Sequence, residues 1–190
     1  MKSNALVSFS SVIALLFLLY TPGIAAEKRQ LEAHVHGVAE VNIAVEGAKA
    51  TVEIHAPAEN IMGFEHEARS DSDKKKRDAA LTLLRSRVDQ MIVFDPKLRC
   101  KSSEMQTAVT EEHEAHGQEK QAAKEQKVSG EHREVQATFS VACSGPLAGS
   151  HLRFGISKVF PEIHEVKVQV LGDSGQSGAT IKNDKGEVRL

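Results

Sequence analysis

The sequence predicts an α+β fold, β-rich, with two antiparallel hairpin or sheet halves, one principal helix and a disordered His/Glu/Lys-rich insertion. Three observations carry that expectation. Apolar and polar residues alternate at period two in two separate stretches, Ala39 to Ala56 and Val135 to Ile156, the pattern of strands with one buried face. Leu81, Leu84, Val88 and Met91 instead recur at helical spacing. From Ser102 to Glu134 there is hardly a large apolar side chain, so that stretch cannot bury enough surface to offset its ordering entropy.

The elements follow in chain order. Ala39, Val41, Ile43 and Val45 share one strand face, Glu46-Gly47-Ala48-Lys49 breaks the run, and Val52, Ile54 and Ala56 resume it, which reads as a β-hairpin. Pro57 ends the second strand, and Ala58 to Glu67 reads as an irregular connection. Ser70 to Asp73 offers helix N-caps, so a helix is expected from about residue 73 to 93, stopped by Phe94-Asp95-Pro96. A low-complexity loop over residues 103–131 follows. Val135, Ala137, Phe139 and Val141 then form a strand, Ser144-Gly145-Pro146 a turn, and Leu152, Phe154 and Ile156 a second strand. Val166, Val168 and Val170 form a third, and Ala179 to Ile181 with Val188 to Leu190 closes a last hairpin. His36 and His132 precede their strands at identical offsets from the apolar positions, which reads either as pseudo-symmetry between two hairpins or as the period that any two amphipathic strands share.

Composition excludes several classes. With 41% hydrophobic and 26% charged residues in a chain of 190, the balance is that of a globular protein. A net charge of -2 lacks the basic surplus that a nucleic-acid backbone requires. There is no Trp, and the single Tyr, Tyr20, lies in the leader, so stacking platforms and aromatic cages are missing.

Residues 1–26 read as a signal peptide: Lys2 near the start, the apolar stretch Val12 to Tyr20, then Pro22-Gly23 and Ala25-Ala26. The stretch is well short of the ~20 residues needed to cross a bilayer. Residues 27–190 are then a single exported domain. Cys100 and Cys143, the two cysteines, are expected to pair in an oxidising compartment; two thiolate zinc ligands are the alternative.

The nine histidines are numerous for so few aromatics. His34 and His36 flank Val35 at the start of a strand, where i and i+2 share a face, and they read either as part of a metal site or as solvated imidazoles. His66 lies beside Glu65 and Glu67, carboxylates suited to orienting an imidazole. His132 opens the second half as His36 opens the first. His113 and His116, at i and i+3 in the insertion, suit a weak second metal site if that stretch turns helical. His55, His151 and His164 read as ordinary surface or edge positions. Enzyme signatures are missing: His113-Glu114-Ala115-His116 is one residue short of HExxH, and there is no GxSxG, phosphate-binding glycine loop or CxxC.

Ala33-His34-Val35-His36-Gly37-Val38-Ala39-Glu40-Val41-Asn42-Ile43 and Pro57-Ala58-Glu59-Asn60-Ile61-Met62-Gly63-Phe64-Glu65-His66-Glu67 resemble the ZrgA-like family of periplasmic zinc-binding proteins. The resemblance covers essentially the whole chain after the leader and continues in Phe160-Pro161-Glu162-Ile163. It implies a periplasmic protein that binds Zn2+ and assists its acquisition, beside an ABC-type zinc importer or its binding protein; with the enzyme signatures missing, the expected function is non-enzymatic zinc acquisition or buffering. It also implies a histidine-rich loop, although this loop carries only His113 and His116, where relatives often have many more. Carried over by position, His34, His36, His66 and His132 are the metal-site residues. The alternative function is a metal-independent interaction module of the envelope.

Overall fold

Alternation at period two fixes which side chains are buried but not which strands become neighbours, and the topology differs from the expected one on that point. The computed structural model describes residues 35–111, 132–173 and 175–190. The expected signal peptide over residues 1–26, His34, His113 and His116 lie outside the described residues. Strands β1 (Val38–Glu46) and β2 (Lys49–Pro57) form the expected hairpin, with Glu46 opposite Lys49 across Gly47-Ala48. A short helix α1 (Ala58–Met62) follows where an irregular connection was expected, and it ends at Gly63 in the left-handed region, φ 81, which glycine adopts without a Cβ penalty.

The principal helix is shorter than the expected span of 73–93. Helix α2 runs Asp71–Ser86, capped by Ser70, whose hydroxyl accepts from the Asp73 amide at 3.1 Å. A single turn, α3 (Val88–Met91), continues it, and Ile92 and Val93 leave as strand β3, opposite Phe154 and Arg153. These two β-branched residues favour the pleated surface over another helical turn.

Strand β4 (Lys101–Glu111) corrects the start of the predicted loop 103–131: residues 103–111 are ordered against β5 (Arg133–Ala142). β4 is the edge strand of its sheet and most of its side chains are at least partly exposed, so backbone pairing holds it where apolar burial does not. The remaining strands are β6 (His151–Phe154), β7 (Glu165–Gly172), β8 (Gly175–Lys182) and β9 (Glu187–Arg189), with a helical turn α4 (Ile156–Val159) after β6. β8 pairs with β7 and β9 with β6, so the expected terminal hairpin is replaced by pairings with earlier strands.

The two expected hairpin halves are likewise corrected. A six-stranded sheet has the order β4-β5-β2-β1-β7-β8, and β3, β6 and β9 form a second, three-stranded sheet. β5 docks on the free edge of β2, and β7 runs parallel to β1. One face of the large sheet, including Val41, Ile43, Val52, Ile54, Val135 and Phe139, joins Leu84 and Met91 in a single hydrophobic cluster. The opposite face carries Glu40, Asn42, Glu53, His55, Gln136 and Thr138, all half-buried.

The strand order also sorts the sheet's two ends. β1, β5 and β7 begin, and β2 and β4 finish, at one end, as the pairings Pro57 with Glu134, Glu111 with Arg133 and Val38 with Glu165 require. At the other end Lys101 pairs with Ala142, and the expected Cys100–Cys143 disulfide closes just beyond them, Cα–Cα 4.0 Å. Among the described residues no helix is long and apolar enough to cross a membrane.

Candidate metal centre

The first of these sheet ends gathers imidazoles and carboxylates, and its scaffold starts with a buried amide. Asn60, 5% exposed on α1, accepts from the Gly37 backbone N–H at 3.1 Å and donates to the Val38 carbonyl at 3.2 Å. It thereby staples the start of β1 to α1, fixing His36 on one side and Glu59 on the other. Gly63 then turns the chain out of α1, its amide bonded to the Glu59 carbonyl at 2.8 Å, and Glu65 comes back toward His36.

His36 Nε2 lies 3.1 Å from Glu59 Oε2 and 3.1 Å from Glu65 Oε1. One donor atom from each of the three residues falls within 4.8 Å of the others. Tetrahedral zinc with ligands at about 2.0–2.2 Å sets its donors about 3.3–3.6 Å apart, close to both His36 distances. Borderline imidazole together with hard carboxylate suits a divalent first-row ion. The proton that an imidazole shares with two carboxylates is one that such a cation displaces.

Glu65 does double duty. Its second oxygen, Oε2, accepts from His132 Nδ1 at 2.8 Å, the carboxylate–histidine contact that orients a ligand and fixes its charge. The offsets shared by His36 and His132 bring both to this sheet end, on strands β1 and β5 that run in the same direction with β2 between them. His66 is placed differently. Its Nδ1 meets the Glu67 carbonyl at 3.1 Å, and its ring stacks on Phe64, with centroids 4.8 Å apart. It is outside the group formed by His36, Glu59 and Glu65.

Sequence reasoning gave Glu65 an orienting role and missed Glu59 and Asn60. In a chain with 26 acidic residues nothing marks one glutamate as a donor until α1 is known. It also read His164 as an ordinary edge residue. His164 and Glu162 instead line the same open cleft as His36 and Glu59, a depression of about 410 Å³.

A second imidazole–carboxylate pair lies on the polar sheet face near this end. His55 Nδ1 donates to Glu134 Oε1 at 3.2 Å, and Gln136 Nε2 donates to Glu134 Oε2 at 2.5 Å. That bond to Glu134, which is 2% exposed, holds His55 above the usual imidazole range against the opposing effect of burial. A raised folded-state value means that the pair stabilises the fold fully below about pH 6.5, and the contribution is lost as pH rises through the raised value. His55→Ala is therefore expected to cost about 2 kcal/mol in urea unfolding at pH 6 and distinctly less at pH 9. A cost independent of pH would contradict this assignment.

The fold and the donor set define a class: a β-sheet protein with a candidate divalent-cation centre at one end of its main sheet. Residues 33–190 match the family described as ZrgA family zinc uptake protein, and the chain belongs to that family. No curated protein gives a significant match to the sequence. Membership associates the chain with zinc, and the disulfide is compatible with an extracellular or periplasmic protein.

Proposed function

We propose that this protein is a periplasmic zinc-binding protein that takes up the ion at the sheet end through His36, Glu59 and Glu65, with His132 orienting Glu65. The observation that carries this reading is the convergence of the three donor atoms within 4.8 Å, in a chain of a zinc uptake family. The protein works by binding and release, without catalysis, and assists zinc acquisition or buffering. His36 and Glu59 are the accessible donors, with side chains 60% and 48% exposed. That openness suits an ion that must be handed on to an ABC-type importer or its binding protein.

Topology supports a role for the insertion. The chain leaves the described fold at Glu111 and re-enters it at His132, and Glu111 pairs with Arg133 at the metal-site end. Residues 112–131, with His113 and His116 among acidic side chains, lie outside the described residues, and in this reading they serve to collect ions for the site.

Protons compete with metal for imidazole and carboxylate donors, so zinc affinity is expected to fall below about pH 6.5. Calorimetric titration of the metal-stripped chain at pH 7.5 and pH 5 tests this. Equal affinity at the two values would rule out a histidine-bearing site.

A further inference from the structure

His164 opens strand β7 beside Gly37, and the backbone locks the two together. The amides of His164 and Glu165 both donate to the Gly37 carbonyl, at 2.9 and 3.0 Å. Gly37 has φ 83, and a Cβ built there would lie 1.8 Å from Cε1 of the His164 ring. The imidazole thus rests in space that only a glycine leaves open. Its Nδ1 faces the Glu162 carbonyl at 3.3 Å. A carbonyl only accepts, so Nδ1 carries the proton and Nε2 keeps its lone pair, the tautomer in which a histidine binds metal. His66 also has its Nδ1 on a carbonyl, but it does not line the cleft that His36, Glu59 and His164 share.

We propose that His164 is a further donor to the ion, giving the site two imidazoles and two carboxylates, a set that selects zinc over the harder manganese and magnesium ions. This rests on the reading that His36, Glu59 and Glu65 hold zinc. One imidazole among carboxylates is a donor set that manganese also accepts, whereas a second nitrogen shifts preference toward zinc. β1 and β7 are adjacent parallel strands, about 4.8 Å apart, so His36 and His164 project from neighbouring strand starts. His164 stands on the cleft wall outside the three atoms that already converge. His36 and Glu59 are exposed enough to close on it without disturbing its Nδ1 contact.

The test uses the metal-stripped chain without its leader, titrated with zinc alone and against manganese, together with the visible absorption of the Co2+ form. Wild type is compared with His164→Ala, His36→Ala and, as a remote control, His151→Ala. The expected result for His164→Ala is a zinc affinity lower by roughly tenfold to a hundredfold, a smaller preference over manganese and a changed Co2+ spectrum, with His151→Ala unchanged. His164 is exposed, and unchanged circular dichroism of its variant separates ligand loss from misfolding. If His36→Ala abolishes binding while His164→Ala matches wild type in affinity, preference and spectrum, the donor role of His164 is overturned and the zinc site stands. If wild type binds no zinc, both fall.

Discussion

Glu65→Ala is expected to lower zinc affinity by roughly a hundredfold or more. Glu65 touches both His36 and His132. Its removal deletes a donor and the contact to His132. At 17% exposure its side chain is the least accessible of the three donors, so water replaces its contacts poorly. Glu65→Gln is the informative companion, because the amide keeps the shape but not the charge: it should retain the fold and still lose most of the affinity. A Glu65→Ala protein that binds zinc as wild type does would move the site elsewhere.

The second large effect concerns stability. Replacing Cys100 and Cys143 together with serine is expected to cost about 4 kcal/mol, for a bridge spanning a sequence separation of 43, and to lower the melting temperature on the order of 10 °C. The bridge encloses β4, residues 112–131 and β5, so in the unfolded chain it closes a long loop. In the folded chain it fastens an edge strand that buries little apolar surface. Because it lies at the sheet end opposite His36, the folded fraction of the variant should keep its zinc affinity. Calorimetric unfolding and a zinc titration on the same sample check both parts; an unchanged melting temperature, or affinity lost along with stability, would contradict the assignment of roles to the two ends.

How much was legible in the sequence depends on whether the information was local. Strand faces were: Val41, Val52 and Phe139 are fully buried, as period-two alternation requires. The disulfide followed from the cysteine count and the expectation of an exported chain. Partner choice was not local, since β1 meets β7 more than 100 residues later, in parallel, and nothing in Val166 to Val170 names Val38 to Ala44 as its neighbour. The loop's early boundary was misread because β4 is held by backbone bonds, which leave no apolar signature. For the site, the matching offsets of His36 and His132 pointed to one sheet end, although the hairpin symmetry they suggested is absent. Glu59 needed α1, and His164 needed the parallel strand pair.

The boundary of β4 also decides how zinc binding at the sheet end is tested. Removing residues 103–131 would cut away the edge strand, whereas Glu111 and Arg133 already face each other across β4 and β5, so residues 112–131 can be replaced by a two-residue turn. The decisive measurement is a calorimetric zinc titration of this shortened protein beside the intact one, both stripped of metal. A sheet-end zinc site gives tight binding that survives the deletion and disappears with His36→Ala. Zinc binding that vanishes with residues 112–131 would contradict it and leave the sheet-end cluster an ordinary imidazole–carboxylate contact.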